Sequence, residues 1–350
     1  MQEQNEILGM PGVLTRPAFC VKDGVITQVN EAAGNLFLSP GTDVRELLVT
    51  GKDEYAAFCG DCLYLTMEIS GCRRGVTVVR YRDTDVFLPE QDVDQAELRA
   101  LALAAVELRD PLSSVMLSAQ KLTAQAEPSE AAARLSRGLY RMLRLVSNMS
   151  DAGYYSAVSH PETRNICVFL GEVFEKAQNL AALAGRNLTF ENLSEDIYCL
   201  VDDQQLERAV LNILSNAIRF SPDGGSIRAK LTRQGHMLSL RIQDSGCGIA
   251  EEVLSNVFTR YLRQPSLENP QYGIGLGMVL VRAAAANHGG TVLIDRPDGQ
   301  GTRVTMTLAI RQSDGTNLRA DVLRVDYSGE RDHALLELAD CLPPELYENC

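Results

Sequence analysis

Asn212-Ile213-Leu214-Ser215-Asn216-Ala217-Ile218-Arg219-Phe220, Asp244-Ser245-Gly246-Cys247-Gly248-Ile249 and Gly273-Ile274-Gly275-Leu276-Gly277-Met278 follow one another in this order. Asn212 and Asn216 stand four apart, which places both amides on one face of a helix. Leu211, Leu214 and Ile218 supply a separate apolar stripe. The helix is read over Leu206 to Phe220 and is stopped by Ser221-Pro222-Asp223-Gly224-Gly225. Asp244 ends a strand that contains Leu240 and Ile242, beside glycines that let the backbone approach a flat ring. A carboxylate there accepts a hydrogen bond from an exocyclic amine such as that of adenine. The run Gly273 to Met278 opens a helix over Val279 to Ala286 and offers backbone amides to phosphate. Asn oxygens suit Mg²⁺, which keeps waters and borrows phosphate oxygens. Arg219 lies within reach of phosphate. Ser226 to Thr232 pairs with Met237 to Gln243, and Thr291 to Asp295 with Thr302 to Ile310.

Outward from this region the pattern changes twice. From Glu90 to Ala157 it is helical, with Leu98, Leu101, Ala102, Ala105, Leu108, Leu112, Val115, Met116 and Leu122 on one stripe. Pro128-Ser129-Glu130 marks a turn, after which Leu135, Leu139, Met142, Val146 and Met149 form a heptad seam. Two antiparallel helices cannot bury such a seam alone, so a four-helix bundle in a dimer is expected. The opposing reading is a core helix pair covered by another domain. Before it, Asp23-Gly24 separates Pro17–Val21 from Val25–Val29 as a hairpin, and Asn30 is placed to cap a short helix. Cys62–Ile69 and Gly75–Tyr81 alternate as strands.

The three opening segments resemble the ATP-binding domain of sensor histidine kinases, of the GHKL type. Asn212 and Asn216 match the N-box, Asp244 to Ile249 the G1-box, Val257 to Arg263 the F-box and Gly273 to Met278 the G2-box, with Gly301-Thr302 after them. The resemblance covers Asp202 to Leu308. It implies that Asp244 binds the adenine amino group, that Gly246, Gly248 and Ile249 belong to the ATP site and that Asn216 holds Mg²⁺. Asn212, Arg219 and Phe220 would border the phosphates. Tyr261, Gly273, Gly275, Leu276, Gly277, Met278 and Thr302 complete the ATP site, and Leu262 to Tyr272 form its lid. Relatives that hydrolyse ATP carry Glu where Asn212 stands, so transfer fits better than hydrolysis. His288 matches a position where the family often has His and is read as structural.

The family's phosphoacceptor motif, His-Glu-x-Arg-x-Pro-Leu, reads here Val106-Glu107-Leu108-Arg109-Asp110-Pro111-Leu112. Valine has no nucleophilic atom, so no phosphohistidine forms at 106. Glu107, the family's catalytic partner of that histidine, has nothing to deprotonate. Ser113 and Ser114, and His160, His236, His288 and His333, sit in no comparable motif. The N-terminal block, with Gly24 to Ala33, resembles a small PAS-type sensor domain.

The expected architecture is therefore multidomain α+β. It has a PAS-like domain over 1–88, a dimerising helical hairpin over 89–160, an α/β-sandwich ATP-binding domain over 161–312 and an acidic tail over 313–350. The tail holds nine acidic residues and three Arg, with a helix read over His333 to Leu342. Two activities are open: an ATP- and Mg²⁺-dependent kinase whose acceptor lies on a partner, or a pseudokinase that switches an interaction without transfer. The partners expected are a second copy, or a full kinase in a heterodimer, and a response regulator. A net charge of -13 disfavours nucleic acid and anionic membranes. No stretch is apolar enough to span a bilayer, and Met1 to Gly9 carries Glu3 and Glu6 and no basic residue, unlike an export signal. A cytoplasmic protein with reduced thiols is expected. Cys59-Gly60-Asp61-Cys62, with Cys20 and Cys72, is read as buried structural thiols rather than a metal or redox site.

Overall fold

The structure is a computed structural model. It describes residues 16–90, 92–125, 129–154, 160–193, 195–249, 257, 275–297, 300–311 and 332–347. The first block contributes strands β1 (Phe19–Lys22), β2 (Val25–Val29), β3 (Cys62–Ile69), β4 (Cys72–Tyr81) and β5 (Thr84–Pro89). Between β2 and β3 lie three short helices, α1 (Glu31–Gly34), α2 (Val44–Leu47) and α3 (Lys52–Ala56). Asp23 and Gly24 both have positive φ, 53° and 83°, the geometry of the tight hairpin expected there. Asn30 caps α1 by accepting from Ala33 N at 2.9 Å, and its amide also reaches Arg16 O and Ala18 N. Strand β4 begins at Cys72, three residues before the expected Gly75. β5 had no sequence assignment, and it runs one residue past the expected boundary at 88.

Side chains alternate across these strands. Leu63, Leu65 and Met67 pack under the short helices with Phe19, Val76, Val78 and Phe87, while Cys62, Tyr64, Val79 and Val86 belong to the larger core on the other face. Burial on both faces explains why β3 reads as a nearly continuous apolar run.

Two long helices follow, α4 (Asp92–Gln125), which continues through Pro111, and α5 (Glu130–Tyr154). They pack on each other, and the expected stripe divides in two. Ala102, Ala105, Met116, Leu139 and Val146 are buried within the chain. Leu108, Val115 and Leu122, seven residues apart, are about half exposed or more, as are Leu135 and Met142. The seam expected over Leu135 to Met149 is thus shared between an intrachain face and an open one.

The third region holds β6 (Glu162–Asn165), α6 (Ile166–Leu183), β7 (Asn187–Glu191), β8 (Tyr198–Val201), α7 (Asp203–Phe220), β9 (Ser226–Gln234), β10 (Met237–Gln243), α8 (Leu276–Asn287), β11 (Val292–Asp295) and β12 (Arg303–Ala309). Leu206, Val210, Ala217 and Ile218 of α7, with Ala284 and Ala285 of α8, share one core with Leu238, Leu240, Ile242, Met306 and Leu308 of the sheet. Helices over one sheet face give the expected sandwich. A last short helix, α9 (His333–Glu337), is shorter than the His333 to Leu342 expected and is followed by a turn and a 3-10 segment, Pro344–Tyr347.

The strand order is β2-β1-β5-β4-β3-β11-β12-β10-β9-β7 in one sheet, with β6-β8 apart. The first block and the third therefore share a sheet. Cys62, Leu63 and Tyr64 of β3 pair antiparallel with Ile294, Leu293 and Val292 of β11. Asp61 fixes the junction: its N donates to Ile294 O at 3.1 Å and its carboxylate accepts from Arg296 Nε at 3.1 Å. Glu90, between β5 and α4, ion-pairs with the buried Arg282 of α8 and accepts from Tyr64 Oη at 3.3 Å.

Candidate nucleotide site and helix pair

Asp244 is placed by the end of β10. Its Oδ1 accepts from Gly246 N at 2.8 Å and Thr302 N at 3.0 Å. Both bonds use one oxygen, which leaves Oδ2 for a ligand. Burial raises the Asp244 pKa above the usual carboxylate value, and the two amide bonds offset part of that rise. Gly301 (φ 70°) is required here, because a Cβ would lie 2.1 Å from Asp244 O. Thus the G1 segment and Thr302 meet.

Asn216, Arg219 and Phe220 are half-buried at the C-terminal end of α7. Arg219 stacks over the Phe220 ring at 5.4 Å. Gly275 (φ 76°) is the N-cap of α8, and Leu276 and Met278 are buried beneath it. Gly248 and Ile249 are described at the end of the G1 segment. Tyr261, Gly273, Leu262 to Tyr272 and the F-box beyond Val257 lie outside the described residues.

Asn212 departs from its expected place beside the phosphates. It is 1% exposed. Its Oδ1 accepts from Arg144 Nη2 at 3.0 Å, and its Nδ2 donates to Arg208 O at 2.8 Å and Glu337 Oε2 at 3.3 Å. The physical reason is the start of α8: Gly277 packs so closely that a Cβ would lie 2.7 Å from Asn212 Oδ1. The Asn212 amide therefore links α5, α7, α8 and the C-terminal segment. Arg144, Arg208 and Glu337 were missed in the sequence because nothing local distinguishes them. Each acquires its partner from an element far away in the chain.

His288 is structural, as read. It caps the end of α8, with Nδ1 2.7 Å from Ala284 O and Nε2 accepting from Asp202 N at 2.9 Å. Burial lowers its pKa, in keeping with a neutral ring. Cys20 and Cys62 are buried as expected, whereas Cys59 and Cys72 are exposed. Among the described residues no group of His, Cys, Asp and Glu is arranged to hold a metal.

The helix pair docks at the glycine-rich end of α8. Leu101 and Met149 pack against Leu276, Val279 and Leu280. Val106, one and a half turns beyond Leu101, is 50% exposed, and Glu107 beside it is exposed. Val106 and Glu107 thus lie on an open surface of α4.

A sheet covered by helices carries a carboxylate at one strand end and a glycine-rich start of α8. Residues 201–312 match the family described as "Histidine kinase-, DNA gyrase B-, and HSP90-like ATPase". Sensor histidine kinase CusS of Escherichia coli is 28% identical over 226 residues, 62% of this chain and 46% of that protein. Sensor histidine kinase WalK of Bacillus subtilis is 26% identical over 252 residues, 68% of this chain and 40% of that protein. ShkA, solved full-length in complex with AMPPNP, shares the fold with a TM-score of 0.50 and 21% identity, over 61% of this chain and 46% of that one. Residues 201–312 thus match a GHKL-type ATP-binding domain, and the chain is similar to sensor histidine kinases over about two thirds of its length. It spans less than half the length of each of these relatives. No helix among the described residues is long and apolar enough to cross a membrane.

Proposed function

We propose that this chain binds Mg-ATP and passes the γ-phosphoryl group to a histidine on a partner chain, within cytoplasmic two-component signalling. The observation that carries the reading is Asp244, held by Gly246 and Thr302 through one oxygen with the other left for adenine. Phosphates would meet the amides at Gly275 to Gly277 and the Arg219 guanidinium. Asn216 offers Mg²⁺ a single neutral oxygen, which suits an ion that takes its other ligands from water and phosphate. The bound ion would neutralise phosphate charge. Val106 supplies no acceptor, so the acceptor histidine belongs to another chain, a full kinase in a heterodimer, with a response regulator as the next recipient in the relay. The test is a calorimetric titration with Mg-ATP. Saturable binding of one nucleotide per chain is expected, and no heat at millimolar nucleotide contradicts it.

The same residues support a second reading, a pseudokinase. The open surface at Val106 favours it, since a helix face can exchange partners without any transfer. The domains that serve either role are a PAS-like block over 1–88, the helical hairpin over 89–160 and the catalytic domain over 161–312. The strand order β2-β1-β5-β4-β3 around three short helices supports the sensor reading of the first.

Dimerisation follows from the open seam. Leu108, Val115 and Leu122 on α4, with Leu135 and Met142 on α5, form a heptad-spaced apolar face. Val115→Asp with Met142→Asp is expected to turn a dimer into a monomer in light scattering, with helicity kept. Leu139 is unsuitable for this purpose, being 3% exposed within the chain. A wild-type monomer at tens of micromolar would contradict the bundle.

A further inference from the structure

The C-terminal segment occupies the join between the helix pair and the ATP-binding domain. Leu336, Leu338, Ala339, Leu342 and Tyr347 are fully buried, and the Tyr347 ring meets Tyr140 of α5 at 5.1 Å. Asp332 caps α9. The Glu337 carboxylate is inaccessible to solvent. It accepts from Arg144 Nε of α5 at 3.1 Å, and from Arg208 Nε of α7 at 2.8 Å. Asp340 accepts from Arg141 Nε at 2.8 Å and Arg144 Nη1 at 2.5 Å. Arg137 donates to the carbonyls of Ala339 and Asp340 at 3.1 and 3.2 Å. Arg137, Arg141 and Arg144 are spaced by four and three, so one face of α5 is dedicated to this segment. Arg208 also pairs with Asp151 and donates to Asn148 Oδ1.

Two guanidiniums stand almost wholly out of water, Arg144 at 7% and Arg208 at 1% exposed. Buried charges need partners in fixed geometry, and the same requirement makes their arrangement specific. Glu337 serves both cations at once, one from each side of the join. Burial alone would depress the Arg144 pKa, and Glu337 and Asp340 more than reverse this. The tail thus supplies charge that the join needs.

We propose that residues 332–347 form an interdomain clamp: through Glu337 and Asp340 they fasten the helix pair to the ATP-binding domain, and the two separate only when the segment leaves. The consequence for phosphoryl transfer rests on the function proposed above, because the ATP-binding domain must move relative to the helix pair to present its nucleotide to a partner's histidine. The clamp itself is tested without nucleotide, so its failure and a failure of ATP binding are separately visible.

The experiment uses the full chain, wild type against Glu337→Gln/Asp340→Asn. Alkylation of Cys341 is followed by peptide mass spectrometry, with the exposed Cys59 as internal reference. Burial pushes the Cys341 thiol up to about 11, so it reacts slowly while the segment is docked. Amide exchange is followed over 130–154, with 226–243 as the control. The variant is expected to raise both Cys341 alkylation and exchange over 130–154 by about tenfold or more, leaving 226–243 unchanged. Unchanged Cys341 reactivity, or faster alkylation with unchanged exchange over 130–154, overturns the proposal. If exchange over 226–243 also rises, Arg137→Ala/Arg141→Ala decides. It loosens the same contact from its exposed edge, and about threefold acceleration at Cys341 and over 130–154 is expected. No acceleration in that variant overturns the clamp.

Discussion

Asp244→Asn is expected to weaken Mg-ATP binding by about 10- to 100-fold, the cost of a lost charge-assisted hydrogen bond of about 1.5–3 kcal/mol. An asparagine keeps Oδ1, and with it the amides of Gly246 and Thr302. Only the second position changes, from an acceptor to a donor facing the donor amine of adenine. The variant therefore isolates recognition from folding. Stability should move the other way. The folded pKa of Asp244 is raised chiefly by burial, so its stabilising contribution belongs to the protonated form and is lost as pH rises through the folded pKa. At neutral pH the ionised carboxylate opposes folding, and the neutral asparagine is expected to raise the melting temperature of the nucleotide-free protein. The same shift predicts that wild-type ATP affinity declines with acidification at a higher pH than an unshifted aspartate would give. Calorimetry at several pH values, with thermal melts of both proteins, checks all three statements. Equal ATP affinity of the two proteins would remove Asp244 from adenine recognition.

Val106→His is expected to bring acid-labile label from γ-labelled ATP onto a chain that otherwise carries none. The substitution falls on a half-exposed helix position, so little packing is disturbed. Glu107, Arg109 and Pro111 are already in place around it. Leu101 and Met149 anchor the helix pair on the first turn of α8, and at about 1.5 Å per residue Val106 lies about 7.5 Å further along α4. Transfer demands reacting atoms about 3–3.5 Å apart, so the gain also reports whether the ATP-binding domain still moves into a productive position. No label, with ATP binding retained, would favour the pseudokinase.

The parts of this molecule legible in the sequence are those whose signal is local. The Asp23-Gly24 turn, the Asn30 cap, the helix stop at Ser221 to Gly225 and the paired strands β9 and β10 each depend on neighbouring residues. The placement of Asp244 at a strand end and of Gly275 at a helix start was legible because both depend on the residues next to them. What escaped depends on distant partners. Nothing in Cys62-Leu63-Tyr64 announces pairing with Val292 to Ile294, since any exposed strand edge offers the same donors and acceptors. The place of Asn212 escaped for the same reason: its spacing from Asn216 puts both on one helix face, but Arg144 and Glu337, from distant elements, engage its amide. The docking of the acidic tail is not legible locally, because the arginines that receive it lie on α5 and α7.

The central claim, transfer to another chain, is tested most directly by mixing wild-type protein with a Val106→His/Asp244→Asn variant and γ-labelled ATP. The wild type can bind nucleotide but has no acceptor; the variant has an acceptor but binds nucleotide poorly. Acid-labile label on the variant, dependent on the wild-type protein, is the predicted result. Absence of label in a mixture where the wild type demonstrably binds Mg-ATP and mixed dimers form would contradict it.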